Sequence, residues 1–371
     1  MTKKRSSFSM MWSTANNFLL SGLRNSKPTL IFRILKGFFD VRVRHQHKIQ
    51  YIEIMSTHAC NAKCDFCSNE FYDRRPRKQL LSRARIEGLI REAAAMDIPA
   101  VSFLGGEPLL DPNLFHYLDY TYQNGMMGRV NTNGQLLTDE NLRKLKNSHV
   151  SKIMVSISST DSQINDTITH VDGYLEKALS GIRRGKAMGI SMGLKVVVNQ
   201  KHFDSGEIKK FIDLANELKV NISFNPVVPT GAAFENYLDH TLNAEFQEKL
   251  DKLVEGNTTI STHLTNNYFG YGCPAGRAYL GITAYGDVIP CFFMPISYGN
   301  VWEMTLEEIH KRVLRTPLFN KGAETCVAAY DQNFINKIII PIFTDTRLNS
   351  HIPVPIEKHP MYNPQSQILD I

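Results

Sequence analysis

The spacing of apolar residues along residues 50–228 switches repeatedly between two periods. Runs in which every second residue is apolar predict β-strands, and apolar residues three and four positions apart predict amphipathic helices. The segment 82–96, for example, places Ile86, Leu89 and Ile90 on one helical face. On this basis six strands are predicted, over residues 50–57, 99–104, 128–132, 152–158, 194–199 and 220–228.

Helices are predicted between these strands, over 82–96, 113–124, 138–146, 174–188 and from a cap at Asp204 to Leu218. Strands that alternate with helices pair in parallel. Periodicity alone leaves open whether such a sheet is doubly wound or closed into a barrel. The unusual residues follow the strands at their C-terminal ends, where βα barrels carry their chemistry. The predicted fold is therefore α/β, a partial (β/α)6 TIM-like barrel.

The composition changes after residue 256, where Gly, Pro, aromatic residues and the last three cysteines dominate. Short strands are predicted over 279–283 and 287–289, and one helix over 306–314. After residue 340 the chain is rich in proline and has little periodicity, which predicts a tail that wraps the surface or is partly mobile. The predicted organisation is a basic N-terminal arm (1–49), an α/β core domain (50–255), a small cysteine-bearing domain (256–340) and a C-terminal tail (341–371).

Charge is concentrated at the N-terminus, where residues 1–50 hold ten Lys and Arg and one acidic residue, Asp40. The whole protein has a net charge of +6, whereas residues 1–50 alone carry +9, so the rest of the chain carries a net charge of −3. The basic groove typical of a nucleic-acid enzyme is therefore not expected there. The arm also carries apolar residues, and two interpretations are open: contact with an anionic membrane surface, or a helix packed on the barrel. The apolar residues are Phe18, Leu19, Leu20, Leu23, Ile31, Phe32, Ile34, Leu35, Phe38 and Phe39.

No run of about eighteen apolar residues predicts a transmembrane helix, and the N-terminus does not have the pattern of a secretory signal. A cytoplasmic protein, in one interpretation peripheral to the inner face of the membrane, is therefore expected. In that compartment the six cysteines are not expected to form disulfides.

Cys60, Cys64 and Cys67 have the spacing C-x3-C-x2-C. A structural zinc site usually takes four ligands in two separated pairs, so zinc is the less favoured alternative. A cubane iron–sulfur cluster takes up to four thiolates, one on each iron. Three thiolates on one loop would leave one iron open to a substrate or cofactor.

This loop resembles the hallmark of the radical S-adenosylmethionine (SAM) superfamily, C-x3-C-x-aromatic-C after the first strand. The resemblance implies that Cys60, Cys64 and Cys67 bind a [4Fe–4S] cluster that binds SAM. It continues with Gly105-Gly106-Glu107-Pro108, similar to the motif that meets the methionyl ammonium, and with Thr132-Asn133-Gly134. The cofactor-binding residues that it implies are Phe66 beside the adenine, Gly105, Gly106, Glu107, Asn133, Ser156 at the ribose, Lys195, Asn199 and Val228.

The sequence departs from the family at Thr169, where many relatives have an Arg that pairs with the methionine carboxylate. Lys195 is a candidate for that role. The alternative for Ser156, Lys195 and Asn199 is that they cap strands or face solvent.

The C-terminal region resembles a truncated SPASM or twitch domain, whose pattern C…G-x4-C…GN is matched from Cys273 through Cys291 to Asn300. The resemblance implies a second, auxiliary [4Fe–4S] cluster on Cys273, Cys291 and Cys326. Position 329 is Ala, so the closing cysteine pair is missing. A fourth ligand would be Asp331, His310 or His351, or the site stays open to substrate; the alternative is three buried structural cysteines.

The resemblance implies an enzyme that generates a 5′-deoxyadenosyl radical for hydrogen abstraction, with an electron donor such as flavodoxin or ferredoxin as its partner. An auxiliary cluster indicates a net oxidation. With all six thiols assigned, none remains to return hydrogen, which disfavours epimerisation. The arm is short and basic for a leader-peptide recognition domain, so a small-molecule, sugar or lipid-linked substrate is expected. Peptide modification is the alternative, and a non-catalytic iron–sulfur or zinc scaffold is the third hypothesis.

Overall fold

The structure is a computed structural model that describes residues 27–73, 79–235, 244–255, 257–265, 270 and 272–371. The arm residues Phe18, Leu19, Leu20 and Leu23, named above for the membrane-contact and packed-helix interpretations, lie outside the described residues.

A nine-stranded sheet forms the centre of the molecule, in the order β7-β6-β5-β4-β3-β2-β1-β8-β9. The six predicted strands pair in parallel and in sequence order, as the predicted α/β barrel requires. β7 extends the sheet beside β6, and β8 extends it beside β1. The strands are β1 Tyr51–Thr57, β2 Ala100–Gly105, β3 Met127–Thr132, β4 Val150–Ile157, β5 Met192–Val198, β6 Asn221–Pro226, β7 Ile260–Thr262, β8 Tyr279–Ile282 and β9 Val288–Ile289.

Alternation along the strands divides the side chains into two layers. On β1, for example, Ile52 and Ile54 are fully buried in the main hydrophobic core, whereas Tyr51 and Glu53 line an internal cavity. The helices up to the end of the barrel are α1 Pro28–Arg42, α2 Arg83–Ala95, α3 Leu114–Gln123, α4 Asp139–Asn147, α5 Ser162–Thr169, α6 Tyr174–Ala187, α7 Gln200–Asp204, α8 Glu207–Leu218 and α9 Ala244–Val254.

Local capping explains where these helices begin. Ser82 and Thr138 accept hydrogen bonds from the backbone three residues on, at Arg85 and Asn141. The prediction that Asp204 caps the following helix is wrong. Asn199 caps the short α7 instead, and Gly206, with φ of +71°, separates it from α8.

The arm is helical in its described part, and α1 packs on the N-terminal ends of β2 and β3. Leu30 and Ile34 contact Ala100 and Met127, so the packed-helix interpretation is confirmed for this segment. Several cations of the arm have partners within the protein. Arg33 donates to the carbonyls of Ala94, Asn124 and Gly125, and the Asp40 carboxylate lies within 4.0 Å of Lys36, Arg44 and Lys48.

The C-terminal region has the predicted strands β8 and β9 and the predicted helix, here Leu306–Val313. That helix begins with a capping box between Thr305 and Glu308. The remaining elements are β10 Ile296–Ser297, α10 Leu306–Val313, α11 Pro317–Lys321, α12 Val327–Tyr330, α13 Gln332–Phe334, a π-helix Ile335–Ile339, α14 Ile340–Thr344, α15 Thr346–Asn349, β11 Val354–Pro355, β12 Tyr362–Asn363 and β13 Ile368–Leu369.

The tail after residue 340 is packed against the rest of this region. Ile342, Ile352 and Val354 are almost fully buried, and β11 pairs with β10. The alternative of a partly mobile tail is therefore wrong, because isolated apolar residues without periodicity still find places in the core.

None of the helices in the described residues is long and apolar enough to cross a membrane.

Candidate functional site

One cavity of about 600 Å³ lies inside the barrel and reaches the C-terminal ends of its strands. All six cysteines line it, although they lie as far apart in the sequence as Cys60 and Cys326. The first set (Cys60, Cys64 and Cys67) occupies one end of the cavity, on the loop after β1. The second set (Cys273, Cys291 and Cys326) comes from the C-terminal region.

The loop of the first set is tightly turned, since the backbone N–H of Cys67 donates to the carbonyl of Cys64 at 3.1 Å. Burial, together with the neighbouring thiols of Cys67 and Cys60, raises the pKa of the Cys64 thiol to about 12. Burial likewise raises the pKa of Cys60 and of Cys67.

Gly105 and Gly106 hold this loop to the end of β2. The N–H of Gly106 donates to the carbonyl of Thr57, and the N–H of Glu107 donates to that of Ala59. A Cβ on Gly106 would lie 2.2 Å from the Ala59 carbonyl oxygen, and a Cβ on Gly105 2.3 Å from that of Thr57. Glycine is therefore required here because two backbones approach each other closely.

Helix α5, which the sequence analysis missed, holds the other side of the loop. Its last carbonyls, at Ile168 and Thr169, accept hydrogen bonds from the N–H groups of Asp65 and Lys63. The Thr169 hydroxyl donates to the carbonyl of Asn165 and is fully buried. Asp161, a residue type favoured at helix N-caps, was the available signal for this helix.

Glu107 is fully buried, and its carboxylate is engaged by the protein itself. It accepts hydrogen bonds from the backbone N–H of Leu109 and Asn133 and from the Thr132 hydroxyl, at 2.8–3.0 Å. Asn133 in turn donates through Nδ2 to Asn61 at 2.7 Å and lies 3.9 Å from the Cys60 sulfur. Glu107 thus fixes the turn after β3 against the cysteine loop.

The second set is assembled from three places in the C-terminal region: before β8, after β9 and at the start of α12. Cys273 and Cys326 are buried and Cys291 is partly buried. Burial raises the pKa of all three thiols, and the charges of Cys273 and Cys291 raise that of Cys326 further. The three sulfurs are therefore close enough to interact.

These donor sets fit iron–sulfur clusters. Within the described residues, no three His, Cys, Asp or Glu side chains are placed to hold one metal ion. Cubane thiolates each bind a different iron and need not converge on one point. Thiols whose pKa is raised by burial become thiolates only beside a cationic group, which iron supplies.

The three residues considered as a fourth ligand of the second set do not line the cavity. Asp331 caps α13 by accepting from the N–H of Phe334. His351 bonds to Ser350, and His310 lies near His47, where burial lowers its pKa to about 4. Their placement therefore gives no support to any of the three as a fourth ligand.

The structure places some of the other predicted site residues at the cavity and others away from it. Ser156 and Lys195 line the cavity, together with Gly105, Gly106 and Asn133. Asn199 is a buried helix cap, which is the alternative considered for it. Phe66 packs against the main core, and Val228 is buried within that core.

Apart from Lys195, the charged residues on the barrel strands that line the cavity were not predicted from the sequence. Glu53, Arg129 and Lys152 line the cavity at inward positions of β1, β3 and β4. Glu53 accepts hydrogen bonds from Tyr279 at 2.7 Å and from Asn131 at 3.0 Å. An Arg or Lys within a predicted parallel strand, where apolar residues are the rule, was the signal that could have revealed Arg129 and Lys152.

Comparison with family models matches residues 54–215 to the Radical SAM superfamily. Residues 273–328 match SPASM, an iron–sulfur cluster-binding domain. The two matched segments contain both cysteine sets.

Curated relatives align over most of the chain. An AdoMet-dependent heme synthase of Methanosarcina barkeri is 26% identical over 302 residues, which cover 72% of this chain and 84% of the relative. A GTP 3′,8-cyclase of Campylobacter jejuni is 26% identical over 266 residues, 66% of this chain and 81% of the relative.

Solved structures share the fold. SuiB of Streptococcus suis bound to the precursor peptide SuiA has a TM-score of 0.58 at 19% identity, covering 77% of this chain and 69% of SuiB. Native anSMEcpe with bound AdoMet has a TM-score of 0.51 at 15% identity, covering 74% of this chain and 83% of that protein.

Proposed function

The chain belongs to the radical SAM superfamily and carries a SPASM-type iron–sulfur domain, and on this premise we propose that it oxidises a small-molecule, sugar or lipid-linked substrate inside the barrel. The motif-based prediction of family, enzyme class and cofactors is confirmed. The cofactors are a [4Fe–4S] cluster, SAM and an auxiliary iron–sulfur cluster. The observation that carries the proposal is that both cysteine sets line one cavity.

We assign Cys60, Cys64 and Cys67 to the cluster that binds SAM, and Cys273, Cys291 and Cys326 to the auxiliary cluster. When bound, the first cluster and SAM supply the 5′-deoxyadenosyl radical that removes hydrogen from the substrate. The residues of the chain position the reactants and exclude water. Asn133 and the backbone at Gly105 and Gly106 line the cavity beside the first set and are assigned to the SAM pocket.

Glu107 is assigned a positioning role, because all its hydrogen bonds go to the chain. Through Thr132 and Asn133 it fixes the turn that faces the cysteine loop. The predicted roles of Phe66, Asn199 and Val228 at the cofactor find no support in their placement, and each of them packs or caps within the protein.

A second redox site on the same cavity supports a net oxidation rather than a redox-neutral rearrangement. All six cysteines of the protein line this cavity in two sets, which supports the absence of a free thiol that returns hydrogen. A small substrate is supported by the cavity itself, which is lined by strand residues of the barrel interior.

The experiment uses anaerobically reconstituted protein with SAM and a reductant, and measures 5′-deoxyadenosine. A cell extract is separated into a low-molecular-mass filtrate and a retained polypeptide fraction. We expect the filtrate to stimulate 5′-deoxyadenosine formation. Stimulation by the polypeptide fraction alone would replace this proposal with peptide modification, and a protein that forms no 5′-deoxyadenosine at all would support the scaffold hypothesis.

The predicted peripheral membrane contact would be made by the outer face of α1, where Phe32, Leu35 and Phe39 are exposed. This face supports an apolar contact, whereas Asp40 and backbone carbonyls engage the neighbouring cations. Because α1 packs on the N-terminal ends of the strands, it lies opposite the cysteine loop and would not present a lipid-linked substrate to it. Co-sedimentation of wild type and Phe32→Ser/Phe39→Ser with anionic and neutral vesicles tests the contact, and equal recovery of both proteins would exclude it.

A further inference from the structure

The interior of the barrel carries a group of cationic and hydrogen-bond-donating side chains on its middle strands. Arg129 on β3 and Lys152 on β4 are direct neighbours in the parallel register, and Lys195 on β5 is the neighbour of Ser156 on β4. All of these side chains line the cavity. Barrel interiors are usually filled by branched apolar residues, so three cations at these positions require an explanation.

The two lysines have no counter-ion in the part of the chain that the structure describes. Among the described residues, neither the Lys152 nor the Lys195 ammonium has a hydrogen-bond or salt-bridge partner. Burial, and then the positive charge of Arg129, lower the pKa of Lys152 to about 8. An unpaired cation in such a place destabilises the fold, which indicates that a ligand supplies the missing negative charge.

The carboxylates that line the cavity in the described residues are Glu53 and Glu70. Glu53 is already bound by Tyr279 and Asn131. Glu70 opens the short helix Glu70–Asp73, just after the first cysteine set. Neither forms an ion pair with Lys152 or Lys195.

Two further side chains that line the same cavity lack partners in the described part of the chain. Both ring nitrogens of His263 and the side-chain amide nitrogen of Asn225 are buried and form no hydrogen bond in the described part of the chain. His263 packs edge-on against Phe293 and interacts electrostatically with Lys195. Asn225 comes from β6, so the unpartnered groups belong to adjoining elements of one wall. Buried donors of this kind are normally satisfied by a ligand or by water.

We propose that Lys152, Lys195, His263 and Asn225, beside Arg129, form a subsite for an anionic group of the substrate, a carboxylate or a phosphate. Ammonium groups and N–H donors suit the acceptor oxygens of both. The inference rests on the proposed function and specifies its substrate class. Because Lys195 also interacts with Cys291, the anionic group would lie towards the second cysteine set.

The site is tested by thermal unfolding of the cluster-loaded enzyme, kept anaerobic and saturated with SAM. Inorganic phosphate, succinate and chloride are compared at equal ionic strength, because a ligand that binds the folded state raises Tm in a saturable way. We expect phosphate or succinate to raise Tm beyond chloride, and the more effective one identifies the chemistry of the anion.

Variants locate the effect. Lys152→Met should raise the half-saturating anion concentration about tenfold or more, because it removes one of the charges that the anion pairs with. Lys195→Gln should act in the same direction, whereas Lys152→Arg should keep most of the affinity. Lys209→Met, at an exposed lysine of α8, is the control and should bind the anion as wild type does.

Three results would overturn the subsite. The first is the absence of any stabilisation beyond chloride. The second is equal stabilisation in wild type, Lys152→Met and Lys195→Gln. The third, from a parallel series without SAM, is stabilisation by the anions only when SAM is omitted, since the cations would then serve the carboxylate of SAM. The proposed function is tested by a separate assay, 5′-deoxyadenosine formation, to which no anion is added. Its failure can therefore be told apart from failure of the subsite.

Discussion

The two ends of the cavity are built in different ways. At one end, Cys60, Cys64 and Cys67 lie within eight residues of one loop, and backbone hydrogen bonds from β2 and α5 hold that loop. At the other end, Cys273, Cys291 and Cys326 come from three segments of the C-terminal region, next to side chains from the barrel wall. The first end is thus local in sequence, and the second exists only in the folded chain.

This difference separates the roles of the two ends. A loop held by backbone contacts keeps the same shape whatever substrate is bound, which suits a cofactor site common to a superfamily. A site formed by side chains of several elements can change by single substitutions. We therefore expect specificity at the second end and the shared chemistry at the first.

The largest expected difference between the ends is in the cleavage of SAM. Cys64→Ala should lower 5′-deoxyadenosine formation about 100-fold or more, because a cluster that lacks one of three thiolates is not stably held. Cys326→Ala should keep substrate-free cleavage within about tenfold of wild type, since its thiol lies in the other set. Both rates are measured by chromatography on reduced, anaerobic protein.

Equal losses in the two cysteine variants would show that the ends do not act separately. Cys291→Ala serves as the matched second variant, and its result should follow that of Cys326→Ala.

Each end of the cavity should account for about half of the iron bound by the protein. Reconstituted wild type should hold about eight iron atoms per chain, for two [4Fe–4S] clusters, and the Cys60/Cys64/Cys67 triple alanine variant about half of that. Iron and sulfide analysis measures both. A wild-type protein with a single fully occupied cluster would contradict the assignment of the second set while leaving the first intact.

Glu107→Gln should destabilise the turn that supports the first cysteine set, without removing a cluster ligand. The amide keeps the shape of the carboxylate but replaces an acceptor with a donor, which then faces the N–H groups of Leu109 and Asn133 or the Thr132 hydroxyl. We expect a loss of about 1–3 kcal/mol in the free energy of unfolding and weaker SAM binding. Urea unfolding and equilibrium binding of SAM measure the two effects, and Glu70→Gln, at an exposed residue just after the loop, is the comparison. Unchanged stability would show that the buried carboxylate is not needed for the turn.

Lys152→Met should stabilise the protein, because it removes an unpaired cation from the barrel interior. The pKa of Lys152 is about 8 in the folded protein and 10.5 as its ordinary value, so the unfolded chain binds more protons between these two pH values. Wild-type stability should therefore rise with pH across this window, and the advantage of the variant should be full below pH 8 and shrink towards pH 10.5.

We expect an advantage on the order of 1 kcal/mol at pH 7, since water in the cavity screens part of the charge. Urea unfolding at pH 7 and at pH 10 measures it, with Lys209→Met as the exposed control. A variant less stable than wild type at pH 7 would indicate that Lys152 has a stabilising partner.

Much of the barrel follows from the sequence, because the two periods of apolar residues are local properties. All six predicted strands form, and the predicted helices 82–96 and 138–146 form with Ser82 and Thr138 as their N-caps. Helix α5 was missed because its eight residues carry little apolar periodicity, and its role depends on carbonyls that meet the cysteine loop from a distance in sequence. The start of α8 was misplaced because the strongest capping residue, Asn199, serves the short helix before it.

By itself the sequence determined the order of the barrel strands and predicted the ligands of the first cluster, since three thiols on one short loop need no distant contact to meet. Only the tertiary structure decided that Cys273, Cys291 and Cys326 face the same cavity, that Glu107 is buried under the turn after β3, and that Lys152, Lys195 and His263 line that cavity. The physical reason is the parallel register of the strands: it brings side chains from distant segments side by side, and burial then decides which of their charges and donors have partners.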